Sequence, residues 1–276
     1  MRALLLLCLV PLMSSARPSH RDLGDMRSAQ DRQDRRDAKN ERRRAKAATQ
    51  FDREERGEDA CTRGERDCTC PVGTTGPGSL TSDRPCFPAF RGDVVPLTPE
   101  LQTQMRGKSW HDGCPPLDGF SLVTVTHWDE NGRRRTGKLI VSSGVADDVR
   151  SVFEKLYEAR FPVSRLEPVD AFGGDDDASM AANNTSAFNC RSVAGETRLS
   201  RHAEGEALDL NPLWNPMIKR GVVSPPEGRA YADRHVRPGL VVEGGPAVRA
   251  FESIGWKWGG KWRSLKDYQH FSKAGD

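Results

Sequence analysis

Apolar positions between residues 93 and 170 follow two different periods, and the switch between them marks the elements. Residues 120–127 carry Val123, Val125 and Thr126 in a β-branched run of strand character. Asp129-Glu130-Asn131-Gly132 then reads as a turn, Asn-Gly being the strongest short hairpin cue in the chain, and 138–141 (Lys-Leu-Ile-Val) as the returning strand. The period then lengthens. Val149, Val152, Phe153, Leu156 and Tyr157 recur at helical spacing, which predicts a helix over 146–161, closed by Pro162. Residues 166–171 resemble another short strand, and 173–177 (Gly-Gly-Asp-Asp-Asp) a loop. Its acidic run fits no calcium-loop spacing and is expected to be a solvated turn. Further on, 207–210 predicts a short buried strand, 212–239 a long proline-bearing loop, and 242–255 a short helix carrying Val248 and Phe251. Of Trp256, Trp258 and Trp262, two are expected in the core and one on a substrate wall.

The first 90 residues have a different texture. Residues 1–16 read as a secretory signal: Arg2, an apolar run from Ala3 to Leu12, and Ser14-Ser15-Ala16 as cleavage site. That run is too short to span a bilayer, and no later segment is a transmembrane candidate. Residues 17–60 mix Arg with Asp and Glu and hold few large apolar residues, so they cannot bury enough surface to fold alone; a disordered, solvated tether is expected. Its Arg35-Arg36 and Arg42-Arg43-Arg44 make anionic cell-wall polymers a candidate partner. Without the signal's Arg2 the formal charge of +3 becomes +2, and acidic residues interrupt the basic run, which argues against nucleic acid.

Six cysteines follow the signal, an even number that implies disulfides in an exported chain. Cys61, Cys68, Cys70 and Cys86 would staple a small segment over 61–90, as Cys61–Cys68 with Cys70–Cys86 or as Cys61–Cys70 with Cys68–Cys86. Cys114 and Cys190 then pair across the remaining domain, 91–276.

Chemistry concentrates in Ser200-Arg201-His202-Ala203-Glu204-Gly205-Glu206-Ala207-Leu208-Asp209 and in Asp267-Tyr268-Gln269-His270. Two histidines and an aspartate, His202, His270 and Asp209, form the three-ligand set of a catalytic zinc with its fourth position open. On one helix His202 and Asp209 would lie roughly 10 Å apart along the axis, too far for one ion. On one flat strand their odd separation would point them to opposite faces. The chain must bend, and Gly205 permits it. Asp267, three before His270, is placed as proton acceptor on the same side of one turn. Ser200 lacks a nucleophile elbow and is assigned a hydrogen bond that orients the site. His20, His111, His127 and His235 are left out of it.

The pattern Ser-x-His-x-x-x-Gly-x-Ala-x-Asp followed by Asp-x-x-His resembles the VanY-type D-alanyl-D-alanine carboxypeptidases and the related L-alanyl-D-glutamate endopeptidases. The likeness extends from Gly107-Lys108-Ser109-Trp110 to Phe271 and includes 137–141, 184–191, Asn211-Pro212, Asn215-Pro216 and 255–262. It implies zinc on His202, Asp209 and His270, a general base at Asp267 and a transition-state-stabilising arginine at Arg191, next to Cys190. The dipeptide-cleaving carboxypeptidase branch has Glu where this chain has Asp267, as the endopeptidase branch often does. It also implies an α+β fold of the hedgehog/DD-peptidase kind: a small antiparallel sheet with flanking helices and the zinc on the sheet face. The formal glycosylation sequons at Asn183 and Asn184 are then loop residues bonding backbone beside the site. The expected activity is a secreted or wall-associated zinc peptidase acting on peptidoglycan stem peptides, with D-alanyl-D-alanine carboxypeptidase first and L-alanyl-D-glutamate endopeptidase second. The competing class is a zinc-bearing binding module without turnover; Asp267 and Arg191, which a binder does not need, favour the enzyme.

Overall fold

The computed structural model describes residues 89–193, 198–235 and 237–275. The expected signal, the tether and the four cysteines of the 61–90 segment lie outside the described residues. Strands β1 (Gly92–Pro96), β2 (Phe120–Trp128) and β3 (Arg134–Ser142) form an antiparallel sheet in the order β1-β2-β3. The β2–β3 connection is the Asn-Gly turn: Gly132 takes φ +70°, and Asp129 Oδ1 accepts the N–H groups of Asn131 and Arg133. Between β1 and β2 lies helix α1 (Pro99–Met105), capped where Thr98 Oγ1 accepts the Leu101 N–H.

This sheet is buried on both faces. Val123, Val125, Leu139 and Val141 join the main core with Val149, Val152, Phe153 and Leu156 of α2 (Ala146–Glu158). The alternate positions Phe120 and Ile140 face a second core with Met105, Phe188, Cys190 and Ala203. Strand period and helix period thus meet as the pattern predicts. The second core lies directly beneath the residues neighbouring His202 and Arg191, so it carries the site.

Three expectations need correcting. The strand expected over 166–171 is only β4 (Arg165–Leu166), paired parallel with β5 (Asn184–Thr185), and Val169–Phe172 is a 3-10 turn. Pro168 has no N–H to offer a ladder, so pairing stops. The acidic loop opens helix α3 (Asp176–Ala181), with Asp175 Oδ1 accepting the Ala178 N–H at 3.0 Å. The long loop contains a hairpin, β7 (Met217–Lys219) and β8 (Val222–Ser224), after β6 (Ala207–Asp209). Arg220 and Gly221 at its tip both take positive φ, as a two-residue primed turn requires.

Helix α4 (Pro246–Glu252) buries Val248 and Phe251, shorter than the predicted span. Strands β9 (Lys257–Trp258), β10 (Lys266–Asp267) and β11 (His270–Ser272) complete the chain. They form two further three-stranded antiparallel sheets, β6-β11-β9 and β10-β7-β8. The α+β class holds, with the antiparallel structure divided among three small sheets.

Candidate metal centre

In the β6-β11 ladder, Leu208 stands opposite Phe271 and Asp209 opposite His270. Neighbouring residues of a strand point to opposite faces. Leu208 and Phe271 are wholly buried in the main core, and Phe271 stacks on Phe251 with ring centroids 3.9 Å apart. Asp209 and His270 therefore share the other face as a cross-strand pair. His202 arrives from a turn over 200–206, in which the Gly205 N–H donates to the His202 carbonyl and Gly205 takes φ +66°. The bend expected at Gly205 is where the backbone makes it.

The three side chains converge. His202 Nε2 lies 3.3 Å from His270 Nδ1 and 3.3 Å from Asp209 Oδ2, and His270 Nδ1 lies 3.1 Å from Asp209 Oδ1. Donors bound tetrahedrally at about 2.0–2.1 Å are about 3.3 Å apart, so the trio has the edge lengths of a zinc coordination shell. Its protonation agrees. His202 Nδ1 is 2.7 Å from the Ala187 carbonyl, which can only accept, so Nδ1 carries the proton and Nε2 presents a lone pair. That lone pair faces the Asp209 carboxylate, one acceptor against another, an arrangement a cation between them relieves. Burial alone would raise the Asp209 carboxyl; positive charge on its imidazole side, carried by a ring proton or by a cation between the rings, outweighs burial and holds it well below the ordinary carboxylate range. Two imidazoles and one anionic carboxylate, all buried, suit a divalent ion such as zinc. Ser200, itself buried, accepts the His202 N–H on Oγ at 3.3 Å.

Asp267 ends β10 opposite Met217, and His270 begins β11 after the Tyr268-Gln269 connection. The two thus sit on adjoining strand ends rather than in one turn. Asp267 Oδ1 is shut from solvent with no hydrogen-bond partner among the described residues. Burial, and next the Asp209 anion, push its carboxyl up to about 7 against the pull of His270, His202 and Arg191. Gly259 makes room for the backbone of Asp267: a Cβ there would come within 3.0 Å of Asp267 Cβ and 2.7 Å of its carbonyl oxygen.

Arg191 faces the same cavity, a cleft of about 820 Å³ that also touches His202, Asp209, Asp267 and His270. Its guanidinium pairs with Asp176 Oδ2 at 2.9 Å. The preceding residue is anchored by a disulfide, Cys114–Cys190, with Cα atoms 6.1 Å apart, and the Cys190 carbonyl accepts from His111 Nε2 at 3.1 Å. His111 also groups with these two cysteines, but their sulfurs are bonded to each other and offer no thiolate.

Asn183 and Asn184 are buried. Asn184 bonds both the N–H and the carbonyl of Glu167, and Asn183 Oδ1 accepts from Leu213 and Trp214, so both act on backbone as expected. Trp256 and Trp258 are core, whereas Trp262 lines the cleft with its ring 5.2 Å from that of His270.

Two cleft residues escaped the sequence reading. Asp176 belongs to the acidic run over 173–177, which the sequence predicts to be a solvated turn. Gln269 lies inside Asp-x-x-His, two positions from Asp267, a signal that could have found it. It is buried on the cleft wall with Oε1 unpartnered among the described residues.

Among the described residues no helix is long and apolar enough to cross a membrane. No curated protein and no solved structure matches the chain. A family model described as D-alanyl-D-alanine carboxypeptidase matches residues 194–273, which hold His202, Asp209, Asp267 and His270. The family resemblance read from the motifs is thereby borne out, and over this stretch the chain is similar to the D-alanyl-D-alanine carboxypeptidase family of peptidases.

Proposed function

We propose that this chain is an exported zinc metallopeptidase that hydrolyses D-amino-acid-containing peptides of bacterial peptidoglycan as a D-alanyl-D-alanine carboxypeptidase. The observation that carries the reading is the buried trio of His202, Asp209 and His270, with a protonatable Asp267 and a cationic Arg191 on the same cleft. Zinc held by the trio would polarise the scissile carbonyl and acidify a water. Asp267, with its carboxyl pushed up to about 7, can take a proton on Oδ1 near neutral pH and return it to the leaving amine. Arg191 offers guanidinium N–H groups to the oxygen on which negative charge develops. Gln269, on the cleft wall, would offer its unpartnered Oε1 to an N–H of the substrate backbone. Trp262 closes the wall beside His270 against water.

A second reading, L-alanyl-D-glutamate endopeptidase, is favoured by Asp rather than Glu at position 267. In both bonds the leaving amine belongs to a D-residue whose α-carboxylate is free, so one chemistry serves either bond. Export through residues 1–16 and binding of anionic wall polymers through 17–60 belong to the same proposal. Digesting purified muropeptides and weighing the fragments tests it: loss of terminal D-alanine identifies the carboxypeptidase, and cleavage after L-alanine the endopeptidase. A zinc-loaded protein that binds peptidoglycan and cuts neither bond would instead be a binding module.

A further inference from the structure

Arg191 is a long, half-exposed side chain, yet its assigned task requires a guanidinium fixed to a fraction of an ångström. The chain surrounds it with fixtures. Cys190 is tied to Cys114, the Arg191 carbonyl accepts the Ser200 N–H at 2.9 Å, and the Asn189 N–H donates to the His202 carbonyl at 3.2 Å. These hold the backbone of Arg191 against the turn that carries His202, but none touches the guanidinium. The partner that does is Asp176, in the first turn of α3, whose Oδ2 accepts from Arg191 at 2.9 Å while its Oδ1 accepts from Asn189 Nδ2 at 3.2 Å. One carboxylate thus bonds the arginine with one oxygen and residue 189, two positions earlier, with the other.

We infer that Asp176 is the positioning residue for Arg191: it holds the guanidinium on the cleft wall, so that its free N–H groups point towards the reacting carbonyl rather than into solvent. This rests on the catalytic role proposed for Arg191. Three features support it. Arg191 Nε is shut from solvent and has no partner among the described residues, so no hydrogen bond at that corner competes with Asp176 in setting the guanidinium. Asp176 is itself set by helix α3, which Asp175 caps, and not by a flexible loop. Finally, Asp176 lines the cleft beside Arg191, where a carboxylate with no cation to hold would repel an anionic substrate.

The test uses the full zinc-loaded chain and two probes, a peptide ending in D-alanyl-D-alanine and a γ-linked L-alanyl-D-glutamyl peptide. Asp176→Asn should lower kcat about ten- to a hundredfold, with KM changed less than about threefold, and leave zinc content and the unfolding midpoint at wild-type values. In an Arg191→Ala background the same substitution should cost nothing further, because its route runs through the arginine. Asp176→Glu should recover part of the loss. Added guanidinium ion should raise the turnover of Arg191→Ala more when Asp176 is present than in the double variant. Wild-type turnover in Asp176→Asn, or an undiminished loss in the Arg191→Ala background, overturns the inference. The Arg191 Nε–H resonance of ¹⁵N-labelled protein provides a readout besides activity, expected to be dispersed in wild type and collapsed in Asp176→Asn. If the wild type cuts neither probe, the proposed function fails. The resonance then decides alone, and an unchanged signal in Asp176→Asn counts against the positioning role.

Discussion

Replacing Gly205 by alanine separates the ways in which this site is built. The residue sits at φ +66°, a left-handed conformation that costs a residue with a Cβ about 1–2 kcal/mol. Space is the second constraint. A Cβ would stand 2.4 Å from Ser142 N, 2.8 Å from Phe120 Cε1 and 3.0 Å from the Val141 carbonyl carbon. Two of these are backbone atoms of the central sheet, and Ser142 N already donates to the Gly205 carbonyl at 3.0 Å. Overpacking of this kind costs about 1–3 kcal/mol, so the sum is about 2–5 kcal/mol, with the clash comparable to the dihedral term. To reach ordinary contact the turn must retreat by about 1 Å, and it carries His202 while β6 carries Asp209. A shift of that size is half a metal–ligand bond of about 2 Å. Gly205→Ala should therefore lower the denaturant midpoint and weaken zinc binding at least about tenfold, equivalent to 1.4 kcal/mol. Denaturant titration and competition with a zinc-binding dye measure the two. Gly205→Asn decides between the causes, since asparagine tolerates positive φ but keeps the Cβ; it should fare no better than alanine. Recovery in Gly205→Asn would show that the dihedral alone matters. Wild-type stability and zinc affinity in Gly205→Ala would refute the packing argument altogether.

Other outcomes are expected from the same geometry. His202→Ala should lose its zinc and its hydrolytic activity together, as measured by elemental analysis and peptide digestion. Asp267→Asn should keep zinc and fold while kcat falls about a hundred- to ten-thousandfold; full activity would remove Asp267 from the proton path. Cys114→Ser with Cys190→Ser opens a link spanning 76 residues, which should cost about 4–5 kcal/mol by denaturant unfolding, with no loss if the pair is not bonded in the purified protein. Burial pulls buried His127 from 6.5 down to about 4, so the unfolded chain binds its proton first. About 3 kcal/mol of stability, full above pH 6.5, should therefore drain away between pH 6.5 and pH 4, and His127→Gln should flatten that slope in melts taken across the range.

The legible parts of this structure are those that short-range rules determine. The β2–β3 hairpin follows from Asn131-Gly132, helix α2 from five apolar residues at its spacing, and the bend before Asp209 from a glycine between two ligands. Helix α3 was hidden because it has six residues and buries only Ser179, leaving no apolar stripe to find. The β7–β8 hairpin was hidden by three-residue strands and by a turn, Arg220-Gly221, whose first member is an unusual choice for positive φ. The role of Asp176 is hidden for a related reason. An acidic run looks solvated until the residue it pairs with is known, and Arg191 lies 15 positions away on another element. Local pattern can identify a charged side chain, but its partner is set by tertiary packing.

The ligand set belongs to both kinds of information at once, and this explains why the motif is recognisable across a gap of 61 residues. In the antiparallel ladder, Asp209 and His270 are directly opposed, where Cβ atoms lie about 4.5–5.5 Å apart. A slip of one residue would turn both away from the cleft and send Leu208 and Phe271 towards it. What forbids the slip is apolar: those two residues are completely buried, and Phe271 stacks on Phe251 of α4. The register of the metal site is thus fixed by the core on the far side of the same two strands. The alternation Ala207-Leu208-Asp209 and His270-Phe271-Ser272 writes both requirements into three residues each. Ligand and core positions cannot vary independently there, which makes the short segments informative in a chain whose long loops are not.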